Sequence, residues 1–212
     1  MKKNQKTRRL VLTAFFVAAQ LVLMLTPVGY IPIGPVRATT MHIPVILGGM
    51  LLGSGTGAFL GFVFGLTSLL INTFAPTVTS FVFSPFITVG GIHGNFASLL
   101  IVFVPRILLG WLSPVIYRQL CAWTKKSYVS AMLSAAVNTL LHTALVMGGI
   151  AVFFAEPYAK ARQILVSDLA GVIMGVVATN GVMEMMLAVV IVPALMKALK
   201  PSMERMNLYD SH

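Results

Sequence analysis

Arg106 stands in Leu99-Leu-Ile-Val-Phe-Val-Pro-Arg-Ile-Leu-Leu109, a run with no other polar side chain. A guanidinium matches a carboxylate bidentately, so an arginine in such surroundings has two readings. It is a clamp for an anionic solute, or it is half of a structural ion pair, for which Glu184 is the natural partner. Pro105 removes one backbone hydrogen bond just before it, a point where a helix can bend toward a cavity. Asn138 and His142 are spaced i, i+4 and share one helix face, with Thr139 and Thr143 in the neighbouring row. Asn180 and Glu184 repeat that spacing. Asn72 and the group Thr39, Thr40 and His42 complete the polar set. Amide, imidazole and charged groups sent from several segments to similar depth point to a pocket for a polar small molecule. Hydrogen bonding between helices is the plainer alternative.

Other chemistries can be set aside on motif grounds. The chain has no G-x-x-x-x-G-K-[ST] and so no P-loop for ATP. It has neither H-E-x-x-H nor H-x-x-E-H, and no G-x-S-x-G elbow. His42, His93 and His142 fall on three separate segments, which argues against a zinc triad. The lone Cys121 excludes an internal disulfide or a thiolate metal cluster and reads as inert packing. No cofactor is expected. Solute capture or transport is favoured over catalysis.

The elements that must position these residues follow from composition. Of 212 residues, 58% are apolar and 9% charged, and the mean hydropathy is +0.92. Soluble domains carry about 25% charged residues, so a soluble enzyme and a disordered chain are both excluded. Six spans of ~20 residues fit the length. The expected fold is an all-α membrane protein, one domain over 1–212, with spans near 10–26, 38–52, 58–74, 96–120, 128–154 and 165–196. In that frame Arg106 lies ~15 Å and His142 ~18 Å below the outer end. Both are too deep to reach the surface easily, and ionisable groups at such depth default to a functional reading.

The net charge of +10 is a topology signal and needs no nucleic acid. Lys2, Lys3, Lys6, Arg8, Arg9, Arg118, Lys125, Lys126, Lys197, Lys200 and Arg205 share one side of a six-span chain. Arg37, Lys160 and Arg162 take the other. That bias places both termini in the cytoplasm. Val11 to Leu25 runs on without a small-x-small cleavage site and reads as a retained first helix. The segment from Pro27 to Arg37 has too many prolines and glycines for a helix, and is too apolar for a solvated linker. It should pack on the bundle as a lid. Ala75 to Asn95 is a second long outer segment, and connections of that length are usually functional. Tyr30, Phe81 and Phe83 are the lid-loop aromatics.

Small residues suggest where helices approach. Gly57, Gly61 and Gly65 recur every fourth residue, as do Gly171 and Gly175, and such rows let helix backbones come close. Ala14 and Ala18 form the milder A-x-x-x-A pattern. No internal repeat is evident, so inverted-repeat transporter folds gain no support.

Four stretches carry a resemblance over nearly the whole chain. They are Gly29-Tyr-Ile-Pro-Ile-Gly-Pro-Val-Arg-Ala-Thr-Thr-Met-His-Ile-Pro-Val-Ile46, Gly61-Phe-Val-Phe-Gly-Leu-Thr-Ser68, Thr79-Ser-Phe-Val-Phe-Ser-Pro-Phe86 and Asn138-Thr-Leu-Leu-His-Thr143. The chain resembles the substrate-binding (S) components of energy-coupling-factor (ECF) vitamin transporters, most closely the branch assigned to pantothenate. The resemblance implies six helices, cytoplasmic termini and an outer vitamin pocket roofed by the two long loops. It implies that Ala14 and Ala18 contact a transmembrane coupling subunit, and that two separate ATPase subunits supply energy. It further implies that the whole component topples in the bilayer to deliver its ligand. The pocket residues Arg106, Asn138, His142, Asn180, Glu184, Asn72 and Thr40 come from the bottom-up reading alone. An S component for another vitamin, such as pyridoxine or folate, is one alternative. A stand-alone carrier with Glu184 and His142 as a proton relay is another, and an intramembrane hydrolase a third.

Overall fold

The computed structural model describes residues 2–33 and 36–205. Its helices are α1 (Lys2–Leu25), α2 (His42–Leu52), α3 (Ser54–Phe74), α4 (Phe96–Thr124), α5 (Ser127–Phe153), α6 (Ala155–Arg162), α7 (Leu169–Val176) and α8 (Val182–Arg205). Two short antiparallel hairpins interrupt them. Strands β1 (Tyr30–Ile33) and β2 (Val36–Thr39) follow α1, with Tyr30 opposite Thr39. Strands β3 (Thr88–Val89) and β4 (Ile92–His93) precede α4.

Five stretches are long and apolar enough to cross a membrane: Gln5–Leu25, α3, α4, α5 and Val166–Arg205. The chain is an all-α, multi-pass membrane protein. The expected second span is different in kind. It consists of β2 followed by α2, whose 11 residues give only ~16 Å of helix against a hydrocarbon core of ~30 Å. Burial explains how so short a helix is accommodated: every residue of α2 is buried. It is surrounded by α1, α3, α4 and α8, so lipid need not match its length. At its end, the guanidinium of Arg9 donates to the carbonyl of Leu52. The chain has therefore returned to the end of the bundle where α1 began. Gly53, at φ +93°, then makes the turn into α3, a conformation that other residues adopt only with strain.

The glycine row of α3 sets the tightest helix contact. A Cβ at Gly57 would collide with the backbone of Gly110, and one at Gly61 with the backbone carbonyl of Arg106. At Gly65 it would meet the Phe103 ring at 2.6 Å and the Val102 carbonyl at 2.9 Å. Hence α3 lies backbone to backbone on the stretch of α4 that carries Arg106. Gly171 and Gly175 are different, since a Cβ at either meets nothing within 4 Å. On α7 the G-x-x-x-G spacing joins no helix pair within the described residues.

Helix α4 starts with a reciprocal cap, in which Asn95 accepts from Ala97 and Ser98 Oγ accepts from the Asn95 amide. The last long segment is broken: α7 passes into α8 through a π-helical turn, Val177–Gly181. Such turns interrupt the regular ladder and often mark functional positions. The buried apolar side chains form two clusters. One is centred on α2, and the other lies beneath the 75–95 loop and α6.

Candidate functional site

Arg106 touches a ring from each of these clusters, Phe64 and Phe83. Pro105 has no N–H, so the carbonyl of Ile101, four residues earlier, lacks its normal helical donor. Arg106 Nη1 donates to that carbonyl at 2.5 Å. The proline and the arginine therefore act as a unit, which folds the side chain back along α4. The guanidinium carbon then stands 5.5 Å from the Phe64 ring centroid and 5.3 Å from that of Phe83. Rings at this range attract the cation through their quadrupoles. No ion pair joins Arg106 to Glu184; the sole salt bridge among the described residues is Lys200–Glu204. Arg106 keeps its Nε–H buried and without a protein partner.

Helix α5 presents the next wall. Asn138, Thr139, His142 and Thr143 are all buried. The His142 ring packs 5.8 Å from that of Phe64, the same ring that lies under Arg106. Both nitrogens of His142, Asn138 Oδ1 and Thr139 Oγ1 are buried without protein partners. The π-turn contributes Asn180, whose Nδ2 is likewise unpartnered, and Gly181 in that turn packs on Thr143 of α5. The irregular turn thus brings Asn180 to the wall that α5 forms.

Glu184 meets the first hairpin. Its Oε1 accepts from the backbone amide of Thr39 at 2.6 Å, and its carbonyl lies 3.3 Å from His42 Nε2. It ties the first hairpin and the start of α2 to α8. The hairpin has further ties: Tyr30 hydroxyl to Thr67 Oγ1 at 3.0 Å and Thr40 Oγ1 to the Val28 carbonyl at 2.9 Å. Gly34 and Pro35, at its tip, lie outside the described residues. The segment expected to pack on the bundle as a lid is a strand pair in the described residues, tied to α3 and α8.

The second loop is anchored in the same manner. Ser80 Oγ donates to Asn72 Oδ1 at 2.6 Å, while Asn72 Nδ2 donates to the Ser68 carbonyl at 2.8 Å. Ser98 Oγ donates to the Phe81 carbonyl. Asn72 has both ends of its amide engaged within the protein and so holds the loop in place. Phe81 and Phe83 are buried, and Phe83 reaches Arg106 from the loop. His93 lies on the exposed β4, 2.7 Å from Thr88, away from His42 and His142.

Sequence reasoning missed Phe64, Thr67 and Ser134. Phe64 is the platform between Arg106 and His142. It was findable as the residue three beyond Gly61 on the packed face of α3. Ser134, one turn before Asn138, orients that side chain through two contacts of 2.8 and 3.1 Å. Ala14 and Ala18 face outward on α1, with Val11, Phe15 and Val22 exposed around them. They do not pack into the protein's own interior.

With this geometry in view, the comparisons with known proteins are informative. The family described as "ECF transporter, substrate-specific component" matches residues 8–196. A protein of Lactococcus lactis subsp. cremoris named pantothenic acid transporter PanT is 37% identical over 203 residues, 92% of this chain and 97% of its own. A Leuconostoc mesenteroides protein named pantothenate transporter PanT is 28% identical over 221 residues, 97% of this chain and 98% of its own.

Proposed function

The chain belongs to the substrate-specific components of ECF transporters, and on that premise we propose that it captures pantothenate for uptake across the plasma membrane. The observation that carries this reading is the set of buried polar atoms without protein partners on the packed elements α4, α5 and the π-turn: Arg106 Nε, both nitrogens of His142, Asn138 Oδ1, Thr139 Oγ1 and Asn180 Nδ2. Buried polar groups are almost always hydrogen-bonded, and leaving one unpaired costs about 1–3 kcal/mol. Several in one place is the signature of a site that a polar ligand completes. Pantothenate has the matching parts, a carboxylate for the guanidinium and hydroxyl and amide groups for the neutral side chains. The names of the two relatives support this choice among vitamins.

The pocket faces outward in this reading, with both termini cytoplasmic, and the two anchored loops form its roof. Ala14 and Ala18 form the exposed groove for the transmembrane coupling subunit, and two partner ATPase subunits supply the energy. Close approach at small residues is how helices associate in lipid, where hydrophobic drive is absent.

Calorimetry on Arg106 variants tests the clamp. Arg106→Ala should lose measurable pantothenate binding while remaining folded in detergent. Arg106→Lys should recover part of it, because the ammonium keeps the charge but lacks the planar fork. Unchanged affinity in both variants would remove Arg106 from the site.

A further inference from the structure

One unpartnered group, Asn138, has a fixed hydrogen-bond sense. Ser134 Oγ donates its single proton to the Ser113 carbonyl at 3.3 Å, leaving lone pairs toward Asn138. The Asn138 amide nitrogen donates to the Ser134 carbonyl and to that same Oγ. Reversing the amide would set its oxygen against two acceptors, so Asn138 is locked with Oδ1 toward the unpartnered side. Asn138 is 1% exposed, so bulk water cannot reach that acceptor. Arg106 Nε is the opposite case, a group that only donates.

From this polarity we infer that the site is divided, with Asn138 Oδ1 reading a hydrogen-bond donor on the ligand while Arg106 holds its anionic end. A ligand that can accept but not donate at this point is disfavoured, because Asn138 Oδ1 would then be buried without a donor. The selected class is a carboxylate that also carries hydroxyl or amide hydrogens. A simple carboxylic acid, or one whose hydroxyls are alkylated, does not qualify. This specificity rests on the pantothenate reading and goes one step past it, by assigning which ligand atoms are recognised as donors.

The test compares pantothenate with its hydroxyl methyl ethers and its deoxy analogues, titrated into the purified protein in detergent. The deoxy compounds remove the donor without adding bulk. Wild-type protein should bind pantothenate at least about tenfold more tightly than either analogue, the size expected when a buried acceptor is left unpaired. In Asn138→Leu, which has no acceptor to satisfy, that preference should shrink to about threefold or less. A merely structural Asn138 would lower affinity for all three ligands and leave their ratio unchanged, which would overturn the assignment. If Asn138→Leu does not fold, the wild-type ratios still decide, since equal affinities for pantothenate and the deoxy analogues contradict a donor-reading Asn138. Wild-type protein that fails to bind pantothenate at all would instead refute the proposed function.

Discussion

At Gly61 the packing of α3 meets the backbone of Arg106 directly. A methyl group there would fall well under 3.0 Å from the Arg106 carbonyl, and the obstructing atom is backbone, which cannot rotate away. Gly61→Ala must therefore push α3 and α4 apart at the clamp. Alanine gains about 1 kcal/mol of helix propensity over glycine. Overpacking costs about 1–3 kcal/mol, and contact with rigid backbone belongs at the upper end. The balance is a net loss of about 1–2 kcal/mol, or a melting temperature several degrees lower at ~2–4 °C per kcal/mol. Pantothenate affinity should fall about tenfold or more, since Arg106 moves with its backbone. Gly171→Ala is the control: it meets open space, so it should be neutral or stabilise by up to about 1 kcal/mol with binding unchanged. Thermal melts in detergent and calorimetry on both variants give the comparison. Equal melting temperatures and affinities for the two variants would refute the claim that the α3 glycine row positions Arg106.

Three other perturbations follow from the same geometry. Pro105→Ala gives the Ile101 carbonyl a backbone donor, so Arg106 loses the bond that folds it back; calorimetry should show affinity down about tenfold without a lower melting temperature, the charged hydrogen bond being worth about 1.5–3 kcal/mol. Glu184→Ala removes the acceptor for the Thr39 amide, and hydrogen exchange should speed up in residues 28–40 while 75–95 stays as protected as before. Replacing Ala14 and Ala18 together by Trp fills the outward groove of α1; pantothenate binding should survive, whereas pull-down of the coupling subunit and ATP-dependent uptake should both fail.

Composition alone made a helical membrane bundle legible, because 9% charged residues cannot cover a water-facing surface. The buried positions of Arg106, Asn138 and His142 were also legible, from polar residues interrupting apolar runs at helical spacing. What α2 would become was not. An 11-residue apolar run reads as a short span, and only tertiary packing reveals that it is enclosed by other helices. The π-turn at Asn180 has no marker in Val177-Ala-Thr-Asn-Gly181 that separates it from ordinary helix. The identical spacings of the glycine pairs on α3 and α7 behave oppositely, because a pattern cannot tell which face meets a neighbour. Asn72 and Glu184 enter the polar set on type and depth, and nothing in the sequence marks the loop contacts they make. Their hydrogen bonds to Ser80 and Thr39 show them holding the two loops, and such partners depend on how remote segments meet.

The central claim is that this chain alone forms a finished pantothenate site and leaves the energy to others. Native mass spectrometry of the purified protein, released from detergent with pantothenate present and ATP absent, tests it directly. The account predicts one pantothenate retained per chain, displaced by neither pyridoxine nor folate and lost in Arg106→Ala. A spectrum of unliganded protein at saturating pantothenate, or equal retention in Arg106→Ala, would contradict it.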